Sequence, residues 1–232
     1  MLTPTNTQLQ FLQLMQLADS AVPIGSMAHS FGLETLVDDP ELRVEDLPTY
    51  LRAYLQETGS LEASFCRTAH GLAHDSWPGA IPEWLMLNGE IGALKPAREG
   101  RAASATLGRR FVQLVASLSQ APQLWSAIAA SKETNTDLHH CAAFGLCGGA
   151  LHIDVDTVVV AYLQQNVMGL VSACQRLMPL GQQGASQLLW HLKEAIADAA
   201  LCKPSTETFA FTPLLDLAGM RHPGLMTRLF IS

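Results

Sequence analysis

Apolar residues recur along this chain at helical rather than strand spacing. No stretch alternates with period two, and no Asn-Gly or Asp-Gly hairpin signal occurs. Leu9, Leu12 and Met15 set one face of a first helix over residues 8–18. Pro23 and Gly25 break the pattern within 19–26, because Pro23 lacks a backbone donor and Gly25 accepts dihedrals closed to other residues. Helical spacing resumes over 27–37 and stops at Asp38-Asp39-Pro40. Further helices are predicted over 47–56, 60–74, 82–94, 96–118, 122–130, 138–151, 156–178, 186–201 and 213–218. Pro48, Pro82, Pro96, Pro122 and Pro213 mark helix starts. Thr136 or Asp137 caps the helix over 138–151, and Asp154 or Asp156 begins the long one. Residues 131–135, 180–184 and 204–208 read as connections and 221–232 as an irregular tail, with no internal repeat.

The expected architecture is an all-α, single-domain bundle of about ten helices (residues 1–211) with a tail (212–232). The long helix, about 35 Å at ~1.5 Å per residue, is apolar all round at Val158, Val159, Val160, Ala161, Tyr162 and Leu163. That profile predicts the central, buried helix. Gly145, Gly148, Gly149 and Ala150 just before it lack bulk, so a neighbouring helix can approach closely there.

Composition narrows the class. Apolar residues make up 48% of the 232 and charged ones only 15%, which favours either a membrane protein or one with much buried or partner-facing surface. The longest unbroken apolar run, Val158 to Leu163, is far shorter than the ~20 residues of a spanning helix, so the second reading is preferred. The first residues lack a basic and apolar leader, and a cytoplasmic location is expected. A net charge of −7 argues against nucleic acid as a partner. Five scattered cysteines (Cys66, Cys141, Cys147, Cys174, Cys202) with no Cys-x-x-Cys spacing read as buried free thiols.

Catalytic signatures are missing. The chain has no P-loop, no Gly-x-Ser-x-Gly elbow and no His-Glu-x-x-His. Asp38-Asp39-Pro40-Glu41 is superficially like an Asp-Asp-x-x-Asp metal motif, but Leu42 holds the fifth position and Pro40 breaks the helix, so a helix end is the better reading. Cys66, His70 and His74 fall on one helical face and form a weak candidate ligand set for nickel or zinc; buried Cys66 with two partly exposed histidines is the favoured alternative. His139 and His140, being adjacent, diverge by about 100°. Lys95, Arg98, Arg101, Arg109 and Arg110 form a basic cluster broken only by Glu99, which suits an acidic partner or a solvated face.

Four separated segments resemble UreF-type urease accessory proteins. The first is Leu14 to Glu34, with Pro23, Gly25, Ser30, Gly32 and Glu34 in matching places. The second runs from Arg98-Glu99-Gly100-Arg101 to Leu107-Gly108-Arg109-Arg110. The third runs from His140 to Gly145 and on through Arg176-Leu177-Met178-Pro179-Leu180-Gly181-Gln182. The fourth is the tail from Met220-Arg221-His222 to Arg228-Leu229-Phe230-Ile231-Ser232, where Pro223 and Met226 depart from the family's Glu and Tyr.

The resemblance implies a non-enzymatic maturation factor that dimerises and binds UreD (UreH in some organisms). That complex recruits the UreG GTPase and delivers nickel to apo-urease, with no tightly bound cofactor of its own. Glu34, Arg98, Arg101, Arg109, Arg176, Gln182, His222, Arg228, Leu229 and Phe230 are the implied partner contacts, and Pro23, Gly25, Ser30, Gly32, Pro179 and Gly181 the structural signature. The tail is expected to order against a partner. An alternative reading is a GTPase-activating protein that supplies an Arg or Gln in trans to UreG. A small helical metalloprotein built on Cys66, His70 and His74 is the remaining reading.

Overall fold

A computed structural model describes residues 6–39, 42–202 and 212–232. Its α-helices are α1 (Asn6–Leu17), α2 (Leu33–Asp38), α3 (Leu47–Tyr54), α4 (Ser60–Asp75), α5 (Ile81–Ala93), α6 (Arg98–Ser119), α7 (Pro122–Thr134), α8 (His140–Ala150), α9 (Val155–Leu177), α10 (Gln182–His191), α11 (Lys193–Ala200) and α12 (Pro213–Arg221). No strand occurs among the described residues, and the fold is all-α, as the spacing predicts. Pro48, Pro82, Pro122 and Pro213 lie in the first two positions of α3, α5, α7 and α12, where a missing N–H costs nothing.

The central helix is α8, not the long one. Every residue from His140 to Ala150 is buried, with α4, α6 and α9 packed around it. Gly145 and Gly149 make the α4 contact possible: a Cβ at either position would strike the backbone carbonyl of Cys66 or His70. By contrast α9 is two-faced. Val158, Val159, Tyr162, Leu163, Val167 and Leu170 are buried, whereas Val160 is 39% exposed. Among the described residues α9 alone has the length and apolarity to cross a membrane, and its apolar face is spent on the protein's own core.

Several boundaries differ from the spacing for physical reasons. The helix expected over 27–37 begins only at Leu33, because Phe31 (φ 53°) and Gly32 (φ 89°) are left-handed. A short 3₁₀ turn, Ser26–Ala28, precedes them. Helices α3 and α4 are joined by a π-helical turn, Leu55–Gly59, instead of a break. The loop expected over 131–135 is helical to Thr134, Gln182 already opens α10, and the helix expected over 186–201 is split at Leu192.

Asp154 caps α9 by accepting from Thr157 N at 2.9 Å. The start of α8 is not capped by Thr136 or Asp137. Asn88 of α5 accepts from His139 N (2.8 Å) and Ser104 of α6 from His140 N (3.3 Å). The 204–208 connection, Pro40 and Glu41 lie outside the described residues, and the 211/212 boundary sits at their edge.

Candidate docking site

The opening motif and the tail, nearly two hundred residues apart, form one structure. After α1 the chain turns through Asp19, whose carboxylate accepts from Ala21 N at 2.8 Å. Pro23 is exposed, Ile24 is buried, and Gly25 (φ 89°) lets Arg110 Nη1 come in to donate to the Ile24 carbonyl at 3.1 Å. Beyond the 3₁₀ turn, residues 28–31 run alongside the last residues. Ile231 N donates to Ala28 O (2.8 Å), and Ser30 N donates to Ser232 O (2.5 Å). Ser30 Oγ reaches the same oxygen at 3.0 Å, and Ser232 Oγ meets His29 Nδ1 at 2.8 Å. Gly32 then bends the chain tightly against the backbone of Leu215 and Gly219 on α12.

Glu34 lies at the centre of this contact. It is buried on α2, and its carboxylate accepts from Leu229 N (2.5 Å), Phe230 N (3.2 Å) and His222 Nε2 (2.8 Å). The other ring nitrogen of His222 meets Glu99 Oε2 at 2.6 Å, and Glu99 Oε1 accepts from Arg228 at 3.3 Å. Phe230 is buried beneath Arg176, whose guanidinium carbon is 4.0 Å from the ring centroid. Arg176 also donates to Met27 O at 2.5 Å. Charge-assisted bonds of this kind are about twice as strong as neutral ones, and here they fasten a segment too short for a core of its own.

These positions change the sequence expectation. Glu34, His222 and Phe230, expected to touch a partner, are buried within the chain and tie its own tail. The tail, expected to order against a partner, is already ordered against the opening motif. Arg98, Arg109, Arg176, Gln182, Arg228 and Leu229 are exposed, as are Pro179 and Gly181 before α10. The basic cluster is dispersed. Arg101 donates to Lys95 O (2.7 Å), Arg109 lies 3.8 Å from Asp137, and Arg110 holds Ile24. Glu99, His29 and Ser232 belong to the site and carry no strong signal in sequence; a single Glu among arginines is the only hint.

Lys95 turns inward instead of joining a surface patch. Its Nζ lies 2.6 Å from Glu62 Oε1, and Tyr162 Oη donates to Glu62 Oε2 at 2.8 Å. Burial by itself would raise the Glu62 carboxyl, but the Lys95 charge and hydrogen bond outweigh it, and the carboxyl stays below its usual range. Burial likewise opposes the Lys95 charge, and Glu62 more than offsets it, so the ammonium is held above its usual range. The pair borders a cavity of about 160 Å³ beneath α12, which contributes Leu215 and Asp216 to its wall. Two other lining residues, His140 and Gln165, keep a buried ring nitrogen and a buried amide oxygen without protein partners. Burial pushes the His140 imidazole down to about 4.

The candidate metal ligands do not converge. Cys66 is fully buried at the α8 contact, and burial lifts its thiol well above the ordinary range. His70 Nε2 is engaged by Ile153 O at 2.7 Å, and exposed His74 bonds Asp75 at 2.6 Å. Among the described residues no three His, Cys, Asp or Glu side chains are arranged to hold an ion.

Fold and site together define an all-α protein whose C-terminal strap is clasped onto its own N-terminal motif. The family model for UreF matches residues 43–193. The chain is 33% identical over 226 residues to a urease accessory protein UreF from Lachnoclostridium phytofermentans, covering 95% of this chain and 98% of that one. It is 30% identical over 224 residues to a urease accessory protein UreF from Corynebacterium glutamicum (94% and 96% covered). It is 32% identical over 227 residues to urease accessory protein F of Arabidopsis thaliana (94% and 90% covered). The chain belongs to the UreF family.

Proposed function

We propose that this protein is a urease maturation factor: a scaffold that joins UreD/UreH, recruits the UreG GTPase and assists GTP-dependent delivery of nickel, as cargo, into apo-urease. It acts as a homodimer in the cytoplasm, with no role for nucleic acid or membrane. The observation that carries the reading is the end-to-end likeness to proteins named as urease accessory factors. The strap adds support, because it holds Arg228 and Leu229 at the surface on a fixed backbone. The test is co-purification with UreD/UreH and UreG of the same organism, together with urease activation in a strain lacking this chain. A ternary complex and restored urease activity are expected; absence of both overturns the reading.

A second reading, activation of GTP hydrolysis by UreG in trans, rests on Gln182, exposed in the first turn of α10. Arg176 is the weaker candidate for that role because Met27 and Phe230 already engage it. Single-turnover GTP hydrolysis by UreG in the full complex decides it: acceleration lost in Gln182→Ala supports it, and no acceleration rejects it.

A further inference from the structure

The last turn of α4 and the turn that closes α8 meet at the surface, and each presents a histidine. Gly149 lets α8 lie so close to α4 that a Cβ there would strike the His70 carbonyl. His70 Nε2 fixes the junction by donating to Ile153 O at 2.7 Å, and Gln10 of α1 donates to His152 O at 2.6 Å. Helix α8 ends in a Schellman motif, in which Ile153 N donates to Gly148 O and His152 N to Gly149 O, both at 3.0 Å. The left-handed position of that motif is usually Gly, because a Cβ is disfavoured there. Here it is His152, at φ 55°. A helix stop alone calls for glycine, so the turn does not account for the imidazole.

On α4 the side chain of His74 is 45% exposed, and its Nδ1 lies 2.6 Å from Asp75 Oδ1. A carboxylate at one ring nitrogen fixes the tautomer and makes the other nitrogen, here Nε2, a better metal ligand. The His74 and His152 ring centroids are 5.3 Å apart, with the planes crossed at 77°. An ion about 2.0–2.1 Å from a ring nitrogen is about 3.2 Å from the ring centre, so two imidazoles sharing it at a tetrahedral angle stand about 5.2 Å apart. The two rings already have the spacing that a shared ion imposes. His70 stacks on His74 at 5.8 Å but is buried with its Nε2 taken, and it serves as a support.

Local charge favours a cation. Asp75 and Asp154 both lie near enough to His70 to act on its charge, and the whole chain carries −7. Arg67, the one Lys or Arg on α4, is paired with Asp156 at 2.6 Å. We infer that His74 and His152 form a surface site for a divalent transition-metal ion of the kind that imidazole suits (zinc, copper or nickel), with Asp75 orienting His74 and water filling the remaining positions. No third side chain is in place among the described residues, so the ion exchanges, unlike one in a closed four-ligand structural site. The inference does not depend on the function proposed above.

The test titrates the untagged full chain with Zn²⁺ and with Ni²⁺ by calorimetry. The variants are His74→Gln, His152→Gly and Asp75→Asn, with His191→Gln, at an exposed histidine of α10, as control. The parent is expected to bind one ion per chain at this site. His74→Gln and His152→Gly should each weaken that binding at least about tenfold, and Asp75→Asn about tenfold. His191→Gln should leave it unchanged. His152→Gly also relieves the left-handed position, so it should raise the denaturation midpoint of the metal-free protein while removing the ion. That combination separates loss of a ligand from loss of the fold. In ring-nitrogen NMR spectra the His74 and His152 resonances should shift together as the ion is added. Parent protein that binds no ion, a His74 or His152 variant that binds like the parent, or a loss that follows His191 instead overturns the site. Asp75→Asn that binds like the parent overturns the orienting role.

Discussion

The molecule contains two carboxylate-centred nodes of similar chemistry and opposite consequence. Glu62, with Lys95 and Tyr162, joins α4 to α9 and to the α5–α6 connection beside the buried α8. Glu34, with His222 and the Leu229 and Phe230 amides, joins α2 to the tail. Both are hydrogen-bonded at both oxygens, Glu34 buried and Glu62 largely so, its side chain 12% exposed. The first sits among elements that many apolar contacts already hold together, so loss of one partner leaves a charge with only the adjoining cavity to solvate it. The second holds a segment whose buried apolar content is Phe230 and little else, so its loss can be relieved by letting the strap go. The same bond type stabilises a core in one place and sets the position of a surface in the other.

The largest expected effect separates these roles. Lys95→Ala leaves the Glu62 carboxylate buried and unpaired, and should lower unfolding stability by about 3–5 kcal/mol, read from the chemical denaturation midpoint. Replacing Glu62 and Lys95 together by Leu and Met should recover much of it. Failure to recover would show that Tyr162, not the ion pair, organises the node. Next in size is the acid response. Burial pushes both His139 and His140 down to about 4 from an ordinary 6.5. As pH falls between those values the unfolded chain takes up protons that the folded chain refuses. Stability is therefore full above about 6.5 and should drop by about 1.4 kcal/mol per pH unit for each ring until about pH 4. His140→Phe, placed among Phe111, Phe144 and Tyr162, should remove one ring's share of that slope in denaturation profiles taken across the range.

Glu34→Gln should then cost about 1–3 kcal/mol or less globally, while freeing the 229–231 amides to exchange. A global loss as large as that of Lys95→Ala would erase the distinction between the nodes. The smallest effect is expected at a control pair outside both. Arg109 and Asp137 are 3.8 Å apart and each more than half exposed. Asp137→Asn should therefore change stability by no more than about 0.5 kcal/mol.

Legibility followed the range of the interactions. The all-α class, most helix positions and a cap at Asp154 or Asp156 were readable because they rest on contacts three or four residues apart, and the structure selects Asp154. The opening motif was recognisable as a signature, and the small residues of α8 as a close approach. The central place of α8 was not readable: its helix has few polar residues of any kind and no amphipathic stripe, and its apolar content resembles that of α9. Its N-terminal caps come from Asn88 and Ser104, far off in sequence. Glu34 was picked out as a partner contact, with an internal role left open, and within the folded chain its carboxylate meets the tail. A carboxylate followed by a helix looks the same whether its acceptors meet another protein or the chain's own end.

The sequence by itself determined a helical protein of the UreF type, with Pro23 and Gly25 marking a bent entry and Phe230 an apolar residue near the end. Those features depend on local dihedral freedom and on residue identity. Only the tertiary structure decided that the bend receives the tail, that Glu34 and Glu99 hold His222 between them, and that Leu229 and Ile231 face outward while Phe230 and Ser232 face in. The reason is geometric: an extended strap alternates its side chains whichever way it lies, and its register is fixed only by the carboxylate and carbonyl partners that the fold brings to it from the other end of the chain.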